Sequence, residues 1–116
     1  MPKSPEPPRV LLDECLPKKL KSEFADCTVF TVPEMGWAGK KNGELMALAG
    51  AEFDVFVTAD QNLRFQQNLA YAEIGVLVLV ASNTRVETLS PLMPQVNRAI
   101  ASVEVGTVVE IRLESE

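Results

Sequence analysis

Residues 53–62 of the chain read FDVFVTADQN, and this stretch decides the fold. Its middle, Val55-Phe56-Val57, is apolar and largely β-branched, which is typical of a strand buried on both faces of a parallel sheet. Ligands of open α/β sheets bind in the crevice outside the carboxyl ends of the strands. We therefore expect Asp60, just beyond the end of this strand, to face such a crevice.

A second run, near the start of the chain, repeats this pattern. Residues 9–14 read RVLLDE and lead from hydrophobic side chains directly into Asp13 and Glu14. If the two strands lie side by side and parallel, their acidic ends meet at one edge of the sheet. Asp54 precedes its strand, so we expect it at the opposite edge.

The rest of the chain alternates between strand and helix patterns. The strand pattern recurs at about residues 27–32, 74–80 and 107–113, and the helix pattern at about 16–24, 42–49, 63–71 and 90–100. Asn42 and Ser90 are suitable helix starts, and Pro94 is expected to weaken the last helix. This order predicts a three-layer α/β/α sandwich on a mostly parallel sheet of about five strands.

Length and composition indicate one globular domain. The chain has 116 residues, of which 47% are hydrophobic and 23% charged. Residues 1–8 hold four prolines and no apolar periodicity, so we expect a disordered tail followed by a single domain over residues 9–116. No apolar run is long enough for a signal peptide or a membrane span, which favours a cytoplasmic protein without a membrane partner.

Two features of the composition, the lack of histidine and the negative net charge, restrict the chemistry. The chain has no histidine, which excludes Ser-His and Cys-His nucleophile pairs and histidine metal sites, so carboxylates must carry any catalysis. The formal net charge of -5 argues against tight nonspecific binding of duplex nucleic acid, unless a local basic groove or a metal supplies the positive charge. Cys15 and Cys27 have no metal-ligand spacing, and we expect both to be reduced thiols.

Three carboxylates are the candidate catalytic and metal-binding residues. Asp13 and Asp60 follow buried strands, and Glu44 lies in the first turn of a predicted helix. Mg²⁺ and Mn²⁺ take oxygen ligands, commonly one or two carboxylates with water and substrate phosphate. The alternative is that each acid is an ordinary solvated turn residue.

Several neighbours of these acids are secondary candidates. Thr58 and Asn62 flank Asp60 and can orient its carboxylate or bind a phosphate, although both also suit a turn. Glu14 is a candidate cap for the following helix. For a nucleic acid with unpaired bases, the candidate contacts are Trp37, by stacking on a base, and the lysines Lys40 and Lys41. The alternative for Trp37 is a core anchor.

Three motifs together resemble a known family. They are residues 11–17, LLDECLP; residues 34–39, EMGWAG, with 42–45, NGEL; and residues 57–63, VTADQNL. Over residues 9–80 the chain resembles the PIN-like family known as DUF5615. The resemblance implies a Rossmann-like PIN fold and a Mg²⁺- or Mn²⁺-dependent ribonuclease acting on single-stranded RNA, with Asp13, Glu44 and Asp60 as its acids. It also implies the toxin half of a toxin-antitoxin pair, with a cognate antitoxin and a second copy of the chain as partners.

The chain departs from the family at two positions, which keeps other functions open. Gln61-Asn62 stands where PIN domains bring a further acid, and Cys15 stands where asparagine is common. One alternative is a noncatalytic module that binds a partner through the C-terminal helix and the edge strand. Another is a phosphoacceptor receiver-like domain, although the last predicted strand ends without the lysine that such a domain needs.

Overall fold

A computed structural model describes residues 7–40, 42–60 and 74–112, with only the backbone at 42 and 43. The strands are β1 (Arg9–Leu12), β2 (Thr28–Thr31), β3 (Val55–Thr58), β4 (Gly75–Leu79) and β5 (Val108–Ile111). The α-helices are α1 (Asn42–Glu52), α2 (Val86–Leu89) and α3 (Met93–Ser102), and 3-10 helices span Lys18–Glu23, Pro33–Met35 and Ser90–Leu92. Within the described ranges, no helix is long and apolar enough to cross a membrane.

The five strands form one sheet in the order β2-β1-β3-β4-β5. All four pairings are parallel, with Leu11 of β1 opposite Phe56 of β3 and Phe56 opposite Val76 of β4. The predicted fold class, an α/β sandwich on a mostly parallel sheet of about five strands, is confirmed. β1 and β3 are adjacent and parallel, which was the condition for their acidic ends to meet at one edge of the sheet.

The central strands are apolar on both faces because helices cover both sides of the sheet. Val10, Leu12, Val55 and Val57 pack into one buried cluster with α3, and partly buried Val86 of α2 packs against that cluster. The intervening positions belong to a second cluster with α1, which includes Leu11, Phe56, Val76, Val78, Leu45 and Ala49. This alternation of side chains between two helical layers gives the molecule its three layers.

Two predicted helices differ from the structure. The helix predicted over residues 16–24 is a 3-10 helix over Lys18–Glu23, and it starts after Pro17 because the backbone of Pro17 is extended (φ -69°, ψ 139°). The C-terminal helical region starts earlier than predicted, at Val86, and it is a 3-10 helix over Ser90–Leu92, just before the turn of α3 that contains Pro94. Pro94 lies in the first turn of α3, where a missing backbone N–H leaves no helical hydrogen bond unmade.

Some predictions fall on residues outside the described ranges. These are most of the predicted tail, Lys41, Asn62, the side chain of Asn42 and the predicted helix at 63–71.

The amino end of the sheet is held by an aromatic cluster around Arg9. Its guanidinium lies 5.2 Å from the ring centroid of Phe30 and 5.1 Å from that of Phe53, at cation–π distance. The backbone N–H of Arg9 donates to Asp54 Oδ2 at 2.9 Å, which confirms that Asp54 lies at the edge opposite to Asp13.

Candidate functional site at the carboxyl ends of β1 and β3

The candidate site lies where the strand order reverses direction. After β1 the chain adds β2 on one side and β3 on the other, and in doubly wound sheets this switch point opens the binding crevice. Asp13 follows β1 directly, and its N–H donates to Val57 O at 2.9 Å, so the β1–β3 pairing continues one residue beyond β1. The backbone of Asp13 is therefore fixed at the switch point by the sheet itself.

A single buried hydroxyl joins the two acid-bearing strand ends. Thr58, the last residue of β3, has no exposed surface. Its Oγ1 donates to Asp13 Oδ2 at 2.6 Å and accepts the backbone N–H of Asp60 at 3.0 Å. Thr58 thereby holds the Asp13 carboxylate and the turn that carries Asp60 in one hydrogen-bonded unit.

The Asp13 carboxylate accepts two further hydrogen bonds. Its Oδ1 accepts the N–H of Glu14 at 2.8 Å, and its Oδ2 accepts the Cys15 thiol at 3.3 Å. Partial burial raises the pKa of Cys15, and the charge of Asp13 adds to the rise, while a hydrogen bond from the Ala59 backbone opposes it. Cys15 therefore acts as a protonated donor to Asp13 and is a poor nucleophile.

Glu14 has a different partner from the one that its position in the sequence indicated. The 3-10 helix that follows has no side-chain cap at Pro17, so the predicted capping role of Glu14 is wrong. Instead, Glu14 Oε1 accepts the backbone N–H of Gly39 at 3.1 Å. The bond connects the end of β1 to the loop that precedes α1, across 25 positions of the chain.

The third predicted acid lies on α1. Glu44 is in the first turn of that helix and exposed, and Lys40 Nζ contacts its Oε2 at 3.3 Å. Among the described residues, no three acidic or cysteine side chains are grouped so that they could hold a metal ion. The structure thus does not group Asp13, Glu44 and Asp60 as the ligands of one metal ion, and their sharing of a metal stays a prediction.

The donors at the switch point nevertheless suit a hard divalent cation. Asp13 and Asp60 supply carboxylate oxygens from adjacent parallel strand ends, and both residues are half-buried. Mg²⁺ is commonly bound through one or two carboxylates, with water and substrate phosphate completing its coordination. The Asp13 carboxylate can still accept at Oδ1, because a carboxylate offers about four lone-pair positions and Thr58, Cys15 and Glu14 use three of them.

Trp37 is placed by packing. Its indole meets the ring of Phe53 edge-on, with 6.1 Å between centroids, and it packs against the core cluster on the α1 face. This contact supports the core-anchor interpretation over base stacking.

A groove of about 400 Å³ runs from Asp13 across the end of β2, where Thr31, Pro33 and Glu34 line it. Thr31 Oγ1 accepts the N–H of Glu34 at 3.2 Å, and Glu34 Oε1 accepts the N–H of Thr31 at 2.8 Å, which forms a capping box. The Thr31 N–H and the Lys21 ammonium, 2.9 Å away, lower the pKa of Glu34 to about 2.

This depressed pKa predicts a pH dependence of stability. A carboxylate whose pKa is lower in the folded state stabilises the fold above its ordinary pKa of about 4.3 and ceases to do so as the pH falls towards the folded value. We expect the melting temperature of wild type to exceed that of Glu34→Gln at about pH 6, and the difference to narrow below about pH 4.3. Thermal melts across this range measure it, and a constant difference would contradict the assigned ion pair.

The site is therefore built from the buried hydroxyl of Thr58, the strand-end acids Asp13 and Asp60, and a loop that is bonded to Glu14, the neighbour of Asp13. Comparisons of the chain with family models, with curated proteins and with solved structures find no match.

Proposed function

We propose that the protein is a metal-dependent endoribonuclease that hydrolyses phosphodiester bonds of single-stranded RNA with Mg²⁺ or Mn²⁺. The observation that carries the proposal is the bridge from Thr58 to Asp13 and to the turn of Asp60 at the switch point of the sheet. The bridge places two carboxylate-bearing segments at the edge where doubly wound sheets bind ligands.

The substrate class is supported by the resemblance of residues 9–80 to the PIN-like family DUF5615, since carboxylates alone suit any phosphodiester. The same resemblance supports a role as the toxin of a toxin-antitoxin pair, with an antitoxin and a second copy of the chain as partners. A sequence with a net charge of -5 and no histidine also favours a metal-assisted route, in which the cation offsets phosphate charge.

Each side chain then has a defined task. A bound Mg²⁺ or Mn²⁺ supplies activation of water and neutralisation of phosphate charge. Asp13 and Asp60 would hold the cation, and Thr58 fixes the orientation of the Asp13 carboxylate by donating to its Oδ2. Glu44 assists as the third acid, and Lys40, whose ammonium lies beside it, attracts the RNA backbone.

The proposal is tested with Asp13→Asn and Asp60→Asn. A ligand present at a hundred times its Kd stabilises the native state by about 2.7 kcal/mol. For a domain of this size that corresponds to a rise of about 10 °C in melting temperature. We expect Mn²⁺ to produce this rise in wild type and not in either variant, and RNA cleavage to fall at least about a hundredfold in both.

The matched control is Asp26→Asn, which removes the same charge from an exposed position before β2, at the other end of the sheet. Asp26 has a positive φ of 59°, a conformation that asparagine also adopts readily. This variant should respond to Mn²⁺ and cleave RNA as wild type does. Equal cleavage by wild type and Asp60→Asn would remove the proposal.

A phosphoacceptor domain is less well supported, although the same strand order occurs in that class. The last residue of β3 is Thr58, so a carboxylate is missing from the strand end itself. The cation that follows β5 is Arg112, whose guanidinium is paired with Glu110 at 2.7 Å. Intact mass after incubation with a small phosphodonor would detect such an acceptor, and we expect no added phosphate.

A further inference from the structure

The loop between β2 and α1 is held at its beginning by the core. Trp37 N–H donates to Val32 O at 3.1 Å, and the indole packs against Phe53. Gly36 and Gly39 have positive φ angles of 77° and 85°, which other residues adopt only with strain, and Lys40 N–H closes a turn onto Trp37 O at 3.1 Å. The loop therefore has a defined shape that ends at Lys40.

The other end of this loop is joined to the candidate site through Glu14. The Glu14 side chain accepts the N–H of Gly39 at 3.1 Å, while the Glu14 backbone N–H donates to Asp13 Oδ1 at 2.8 Å. One residue thus contacts both the first acid and the loop.

This connection positions Lys40, which forms an ion pair with Glu44. Lys40 is the next residue after Gly39, and its ammonium contacts Glu44 at 3.3 Å. Glu44 is held by α1 through the burial of Leu45 and Ala49, whereas the bond to Glu14 ties the backbone just before Lys40 directly to the segment of Asp13.

We infer that Glu14 is a positioning residue, which fixes Lys40, and with it the ion pair between Lys40 and Glu44, relative to Asp13 by accepting the Gly39 N–H. The inference rests on the proposed function for its effect on RNA cleavage. This role requires a hydrogen-bond acceptor at position 14 but does not require a negative charge there. A glutamine provides the acceptor through its amide oxygen, whereas an alanine does not.

The experiment compares Glu14→Gln with Glu14→Ala in two measurements. Hydrogen exchange of the Gly39 amide, followed by NMR, reports the bond directly and does not depend on activity. We expect exchange about fivefold faster in Glu14→Ala, as the loss of one hydrogen bond predicts, and close to wild type in Glu14→Gln. Mn²⁺-dependent cleavage should fall about tenfold in Glu14→Ala and be retained in Glu14→Gln.

Two results would overturn the inference. Unchanged Gly39 exchange in Glu14→Ala would show that Glu14 does not hold the loop. Equal loss of cleavage in both variants would show that the charge of Glu14 acts directly on metal or substrate. A wild-type protein that cleaves no RNA would remove the proposed function alone, because Gly39 exchange still decides whether Glu14 holds the loop.

Discussion

Thr58→Val is expected to weaken Mn²⁺ binding and RNA cleavage about ten- to a hundredfold, whereas Thr58→Ser keeps both within about threefold. Valine preserves the branched shape of the buried side chain but removes the hydroxyl that donates to Asp13 and accepts from Asp60. Serine keeps the hydroxyl and loses only a methyl group. The midpoint of a Mn²⁺ titration, followed by thermal shift, separates metal affinity from the cleavage rate.

The control for this prediction is Thr31→Val. Thr31 is the other buried threonine at the end of a strand, and its hydroxyl accepts from Glu34 and makes no described contact with Asp13. This variant should lose stability, about 1 kcal/mol for one hydrogen bond, and keep its Mn²⁺ affinity. If Thr58→Val binds Mn²⁺ as tightly as wild type, Thr58 does not position Asp13.

Phe56→Ala is expected to lower the free energy of unfolding by about 3 to 5 kcal/mol, a large share of the total stability of a domain of this size. Phe56 is fully buried in the central strand, opposite Leu11 on one side and Val76 on the other. Its removal leaves a cavity under α1 that the rigid sheet cannot close. The melting temperature should fall by about 15 °C or more, and urea denaturation measures the free energy.

Val109→Ala is the comparison for Phe56→Ala. Val109 lies in the edge strand β5, and 37% of its surface is exposed. Shortening its side chain to alanine should therefore change the free energy of unfolding by less than about 1 kcal/mol. Similar destabilisation by both substitutions would contradict the placement of Phe56 at the centre of the core.

The strands were predictable because burial on two faces leaves a clear pattern in the sequence. β3 and β4 are continuous apolar runs, and a strand with helices on both sides requires this composition. The convergence of Asp13 with the turn of Asp60 followed from the same patterns once β1 and β3 were taken as parallel neighbours.

The sequence left two interpretations open where one residue type suits two structures. Pro94 both disrupts a helix interior and suits a helix start, and only the position of α3 shows which applies. Trp37 had two interpretations for a similar reason, because an aromatic residue between glycines can stack on a base or pack into a core.

The bond between Glu14 and Gly39 had no signal in the sequence. It joins an exposed side chain to a backbone N–H that is distant along the chain, and it depends on where the loop runs over the sheet. The only local indication was the pair of glycines at 36 and 39, which predicted an irregular loop but not its partner.

The strand order also has a consequence for the chain as it is synthesised. β1, β2 and β3 lie in the first half of the sequence, so Asp13, Thr58 and Asp60 are synthesised before β4 and β5. Until β4 pairs with it, β3 presents an open edge of four apolar or fully buried positions, the kind of edge that promotes aggregation. A partly folded chain in which only β1, β2 and β3 have assembled holds every residue of the acidic edge, yet its solubility depends on β4 pairing with β3.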